Sequence, residues 1–139
     1  LSYIKSTLKA LKDLNYRNEI TVEINGDKIQ TNPFMVFISN SNEMGYKISL
    51  TPMASLQDGL LDVLIVSKIS RLKSLYFGFL ILIKKHHLIK EAKYYQANVI
   101  TIHQTHKKVY ESQIDGEFFK INSEAITISL LEKSLHVIA

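Results

Sequence analysis

Short apolar alternations that end at turn residues recur along this chain, and they restrict its fold more than any other feature. Ile20, Val22 and Ile24 alternate with Thr21 and Glu23, the period-two pattern of a half-buried strand. Asn25-Gly26 follows, the dipeptide that best tolerates the positive φ of a type I′ hairpin turn. Lys28 to Thr31 is then the returning strand, and Asn32-Pro33 interrupts the pattern before a buried strand over Phe34 to Ile38. A polar turn from Ser39 to Tyr46 leads into a short strand, Lys47 to Leu50, which Pro52 stops. Leu60 to Val66 is dense in Leu, Ile and Val with Asp62 inside it, as expected of a central strand. Further strands are expected over Ala97 to Ile102, Lys108 to Ile114, Glu117 to Ile121, Ile126 to Leu130 and Leu135 to Ile138.

Two segments have helical spacing instead. Ser2 is placed to cap a helix with Ile4, Leu8 and Leu11 on one face and Lys5, Lys9 and Lys12 on the other. Ser70 to about His87 is the stronger one, capped by Ser70 and closed by Lys84-Lys85-His86-His87, cations at the negative end of the helix dipole. Many short strands with one or two helices indicate a mainly β fold, a two-layer β-sandwich with the helices attached. Residues 1–139 suffice for one such domain with a single core.

Composition narrows the function classes modestly. With 46% hydrophobic and 22% charged residues, the chain is outside the disordered class. It has no cysteine, which excludes disulfide and thiolate chemistry and suits a reducing compartment. A net charge of +4 suits an anionic partner, whether membrane, nucleic acid or nucleotide. The chain opens on Leu1 in helix-like sequence, as expected of a piece excised from a longer protein. Leu75 to Ile83 is the longest apolar run, far short of the roughly 20 residues of a spanning helix, so a soluble or peripheral domain is expected.

Three segments offer chemistry. In Thr51-Pro52-Met53-Ala54-Ser55-Leu56-Gln57-Asp58-Gly59-Leu60, Asp58-Gly59 reads either as a plain turn into a strand or as a carboxylate beside turn carbonyls, a donor set for a hard divalent cation. In Ile114-Asp115-Gly116-Glu117, two carboxylates one residue apart share one side of an extended strand. Such a pair raises the proton affinity of one partner and makes a general base. Spacing alone favours the plainer alternative, an Asp-Gly hairpin turn that precedes a glutamate. The third segment, His86 to Ile102, carries adjacent His86 and His87, and beyond it lie His103 and His106. Neither pair has both ligand spacing and a third donor, so no histidine metal site is expected.

Taken together, Thr51-Pro52-Met53-Ala54, Asp58-Gly59-Leu60-Leu61-Asp62-Val63, then His87, Tyr94 to Ile102 and Asp115-Gly116-Glu117 resemble, in order and spacing, the diacylglycerol kinase-like lipid kinases, which include the bacterial soluble diacylglycerol kinases and their sphingosine and ceramide kinase relatives. The resemblance covers nearly the whole chain. It implies the C-terminal β-sandwich of a two-domain enzyme whose N-terminal domain carries a glycine-rich nucleotide loop. ATP would donate its γ-phosphate, with Mg²⁺, to a lipid hydroxyl in the cleft between the two domains. By the same resemblance Glu117 is the base, with Asp115 beside it, and a structural Mg²⁺ is held by Asp58 and the carbonyls of Ser55 and Leu60. The expected partners are a lipid at the membrane surface and the nucleotide-binding domain of the same protein, with no nucleic acid, and the expected location is the cytoplasmic face of the membrane.

No glycine-rich phosphate cradle occurs in these residues. The family tends to be richer in glycine where this chain has Glu43-Met44-Gly45-Tyr46, and no nucleotide contact is assigned to that loop. The chain alone is therefore expected to be inactive. The acceptor lipid stays open among diacylglycerol, phosphatidylglycerol and sphingoid bases. Two rivals remain: the related domain of the NAD kinases, against which Asp58 to Val63 with the later Asp115-Gly116-Glu117 argues, and a non-catalytic β-sandwich that binds lipid or protein. The apolar helix around Leu75 to Ile83, flanked by Arg71, Lys73, Lys84 and Lys85, has two readings of its own. One is insertion into an anionic leaflet. The favoured one is burial against the sheet, with Gly78 as the point of close contact.

Overall fold

A computed structural model describes residues 19–43, 48–104 and 109–131. Among these residues nine strands, one α-helix and a 3₁₀ turn follow one another: β1 (Ile20–Ile24), β2 (Asp27–Thr31), β3 (Pro33–Ser39), β4 (Leu61–Ser67), α1 (Arg71–Leu82), the 3₁₀ turn His86–Leu88, β5 (Ala92–Ala97), β6 (Val99–Gln104), β7 (Val109–Ile114), β8 (Glu117–Asn122) and β9 (Ala125–Ser129). The expected helix at Ser2 and the strand at Leu135 lie outside the described residues.

All strand pairs are antiparallel. Four strands form one sheet in the order β2-β1-β6-β9, three form a second in the order β3-β4-β5, and β7-β8 stand as a separate hairpin. The first two sheets close on each other through Ile20, Val22, Ile24 and Ile100 on one side and Leu61, Val63 and Ile65 on the other. This is the expected sandwich, with alternate residues of each strand turned inward. Asn25 and Gly26 have φ of 53° and 87°, as a type I′ turn requires. The Asn25 amide also donates to the Gln96 carbonyl at 2.8 Å, tying this turn of one sheet to a strand of the other.

Strand β4 is buried on both faces, which accounts for its unbroken apolar run. Leu61, Val63 and Ile65 enter the sandwich, while Leu64 and Val66 pack against Phe77 and Leu80 of α1 together with Leu50, Ile69 and Ile89. Ser70 caps α1 by accepting from the Lys73 N–H at 3.3 Å. At the other end the Lys84 N–H donates to Ile81 and the Lys85 N–H to Leu80, at 3.0 and 2.8 Å, with Lys84 at φ 56°. That is a Schellman closure with lysine in the left-handed position that usually holds glycine. The helix therefore stops at Leu82 and does not run on to His87.

Three expectations need correction. The segment up to Leu50 is not a strand among its described residues 48–50. Leu50 is buried under α1, and its carbonyl accepts from a histidine side chain instead of a neighbouring strand. The expected strand Ala97 to Ile102 is in fact two, β5 and β6, which break at Asn98 and belong to different sheets. Gly78 is no close-contact point, for a Cβ built there meets nothing within 4 Å.

Candidate functional site

The Thr51–Leu60 loop brings the first group of predicted residues together. The Ala54 N–H donates to the Thr51 carbonyl at 3.0 Å, and the Ser55 hydroxyl accepts from the Gln57 N–H at 3.2 Å. Gly59 takes φ 72°, a left-handed value that glycine adopts without strain. The turn it makes lets Asp58 Oδ1 accept from the Leu60 N–H at 3.0 Å. Asp58 is exposed, so its carboxylate stands at the surface in a conformation held by its own backbone.

Behind it lies a second carboxylate that had no assigned role. Asp62 is 5% exposed; its Oδ1 accepts from Gln96 Nε2 at 3.2 Å, and its Oδ2 has no hydrogen-bond partner. Burial pushes its pKa above the ordinary carboxylate value; the Gln96 bond partly offsets this, and the nearby charge of Asp58 adds to the rise. Two carboxylates that repel each other, one with an orphaned oxygen, beside turn carbonyls form an oxygen-rich, electronegative setting that suits a hard cation such as Mg²⁺. No group of three or more His, Asp or Glu is placed to hold a metal among the described residues. A cation here would rest on one or two carboxylates, backbone carbonyls and water.

Asp115 and Glu117 follow the hairpin-turn reading of this segment, not the shared side of an extended strand. Asp115 and Gly116 have φ of 50° and 91°, so they are the two central residues of a type I′ turn between β7 and β8. The carboxylates therefore do not share one side of a strand. Glu117 begins β8 opposite Ile114, and Gln113 Nε2 donates to the Gly116 carbonyl at 3.0 Å across the turn. Both carboxylates are exposed. Glu117, Ile114 and Phe119 fall on one face of the hairpin, and the last two are 52% and 41% exposed. The tip thus offers a carboxylate beside apolar surface. The Asp58 turn and this tip belong to separate sheets.

Of the two adjacent histidines, His86 and not His87 is structural. His86 is fully buried, while His87 is exposed. Its ring meets Phe77 and Tyr94 at centroid distances of 6.3 and 6.0 Å, and Nε2 lies 3.0 Å from the Leu50 carbonyl. A carbonyl only accepts, so Nε2 carries the proton and donates it; Nδ1 is then the unprotonated nitrogen, and it has no partner. Burial holds the pKa below 6.5, partly countered by the Leu50 bond and reinforced by His87. Because the folded value is lowered, the stability from neutral His86 is complete above pH 6.5 and declines as the pH falls from there through the folded value. His86→Ala is expected to cost about 2–4 kcal/mol at pH 7 and to flatten the loss of stability between pH 7 and 5. Urea unfolding at both pH values measures this. A pocket lined by Thr21, Lys28, Gln30 and His103 lies on the outer face of the four-stranded sheet and contains none of the predicted site residues.

A two-layer antiparallel sandwich with a helix across its outer face defines a class of β-sandwich domain found in several solved proteins. One, provisionally assigned as a diacylglycerol kinase from Bacillus anthracis str. Sterne, superimposes with a TM-score of 0.62 at 18% identity over 88% of this chain and 40% of its own. A further diacylglycerol kinase structure from the same organism gives 0.54 at 15% identity, covering 87% of this chain and 44% of its own. The chain thus spans less than half the length of these structures. Residues 1–118 match the family described as the YegS C-terminal NAD kinase beta sandwich-like domain. The chain belongs to that family, and the match runs through Glu117. No curated protein matches the sequence.

Proposed function

We propose that this chain is the acceptor-side domain of an ATP- and Mg²⁺-dependent lipid kinase, acting at the cytoplasmic face of a membrane, with a diacylglycerol-like acceptor. The observation that carries this reading is the exposed Asp115-Gly116-Glu117 tip, set on a sandwich whose family match includes it. In the reaction the lipid O–H bond breaks and its oxygen bonds to the γ-phosphorus as the bond to the ADP oxygen breaks. The proton passes to the Glu117 carboxylate. Asp115 lies beside it in the turn between β7 and β8. Phosphoryl transfer needs alignment and charge neutralisation above all, so a carboxylate fixed at a hairpin tip is a fitting contribution.

The phosphates would be held by a nucleotide-binding domain of the same protein, since no glycine-rich cradle lies in these residues. Residues 1–139 alone are accordingly expected to be inactive. Full-length protein incubated with ATP, Mg²⁺ and a panel of diacylglycerol, phosphatidylglycerol and sphingosine in mixed micelles tests the reading. Inactivity across the panel would move a non-catalytic lipid- or protein-binding role to the front.

Asp58 and the carbonyls of Ser55 and Leu60 would hold Mg²⁺, which would neutralise the Asp58–Asp62 repulsion and brace the loop. The expected result is a rise in thermal midpoint with Mg²⁺, equivalent to about 2.7 kcal/mol at a hundredfold excess over Kd, and its loss in Asp58→Asn. Differential scanning calorimetry of the full-length protein checks this. A midpoint indifferent to Mg²⁺ would remove the site.

A further inference from the structure

Helix α1 is apolar on both sides, and the fold uses only one. Ser74, Phe77 and Leu80 are buried against the three-stranded sheet. On the opposite side Leu72, Leu75, Tyr76, Phe79, Leu82 and Ile83 stand in one row at helical spacing, and they are 44–82% exposed. A helix that is apolar all round normally lies inside a large core or in lipid. A continuous apolar row facing water marks a binding surface.

Charge identifies what that surface fits. Residues 71–90 contain Arg71, Lys73, Lys84, Lys85 and Lys90 and no Asp or Glu, while the whole chain nets only +4. Lys73 reaches Glu91 at 2.8 Å. Arg71 stands exposed at the start of the row, and the Schellman turn leaves Lys84 and Lys85 exposed directly after its end. A second copy of the helix suits this face poorly. An antiparallel pair would set Arg71 against Lys84 and Lys85, a parallel pair would set each against itself, and the helix has no carboxylate to neutralise either arrangement.

We propose that this outer face of α1 is a docking surface for an anionic bilayer, on which the helix lies in the membrane plane. Its 12 residues span about 18 Å, and among the described residues no helix is long and apolar enough to cross a membrane. The row enters the boundary between head groups and acyl chains, while Arg71, Lys84 and Lys85 meet the anionic head groups. Leu88, on the 3₁₀ turn that follows, is 61% exposed as well. The choice of a bilayer rests in part on the lipid kinase reading, because such an enzyme must meet its acceptor at a membrane.

The test is co-sedimentation of full-length protein, without nucleotide, with vesicles of phosphatidylglycerol and phosphatidylcholine or of phosphatidylcholine alone. Leu75→Gln with Phe79→Gln is expected to weaken binding to the anionic vesicles at least about tenfold. Lys84→Glu with Lys85→Glu is expected to weaken it about fivefold per lysine, with little change on neutral vesicles. All four positions are exposed, so circular dichroism and the thermal midpoint should stay as in the parent. Anionic binding unchanged by the apolar pair overturns the proposal. So does a lipid-free dimer that the same pair dissociates, which would assign the face to a second copy. Vesicle binding through α1 by a protein that phosphorylates no lipid would uphold this inference and sink the kinase reading, so the two fail separately.

Discussion

Glu117→Gln in the full-length protein is expected to lower phosphoryl transfer from ATP to diacylglycerol by about 10²–10⁴-fold, the usual range for loss of a positioned general base, with the fold unchanged. The expectation of an intact fold follows from position. Glu117 is exposed at the first residue of β8, and glutamine has nearly the same shape, so stability should change by no more than about 0.5 kcal/mol. Asp115→Asn is a useful companion, because asparagine tolerates the φ of 50° that the turn imposes there. Its effect on rate should be smaller, since Asp115 sits in the turn and Glu117 is the residue proposed to take the proton. Initial rates in mixed micelles, with circular dichroism of each variant, settle the matter. A Glu117→Gln enzyme as fast as its parent would place the base elsewhere.

Phe77→Ala is expected to cost about 3–5 kcal/mol, whereas Phe79→Ala, two residues along the same helix, should stay within about 0.5 kcal/mol. Phe77 is 2% exposed and meets the Phe34 ring edge-on at 6.2 Å and the His86 ring at 6.3 Å. Its removal opens a cavity between α1 and β4 that the surrounding side chains cannot fill without moving. Phe79 is 56% exposed on the outer row, and its loss uncovers little. Urea denaturation of the two single variants measures the contrast. Equal costs would mean that the outer face is covered in solution. Because Phe77 belongs to the core, it has no place in a test of membrane binding.

Local sequence carried much of the architecture. Asn25-Gly26 and Asp115-Gly116 both make type I′ turns, because positive φ at two successive residues is a steric requirement that few dipeptides meet. The alternation of Ile20, Val22 and Ile24 gave the buried face of β1, and the solid apolar run of β4 gave a strand covered on both sides. Elsewhere the pattern was ambiguous. The break at Asn98 divides what reads as one strand between two sheets, and nothing within Ala97 to Ile102 signals that change of partner. Ser49 and Leu50 look like strand residues, but Leu50 gives its carbonyl to His86 from beneath the helix.

The candidate site divides along the same line. Asp58, Asp115, Gly116 and Glu117 were legible because turn-forming glycines and carboxylates at short spacing announce themselves, and the family resemblance put roles to them. Asp62 showed only as a carboxylate inside an apolar run, and its unpaired oxygen and its closeness to Asp58 appear once β4 lies between β3 and β5.

By itself, then, the sequence determined the hairpin turns, the alternating strands, the Ser70 cap and the family, since each rests on residue types within a few positions of one another. Only the tertiary structure decided which of two adjacent histidines is buried, which side of an all-apolar helix meets the sheet, and that Ala97 to Ile102 divides between two sheets. For the histidines and the helix the outcome depends on packing against residues distant in sequence, such as Leu50 with His86 and Phe34 with Phe77. For the break at Asn98 it depends on which neighbours the two strands find, β4 for β5 and β1 for β6, both distant in sequence.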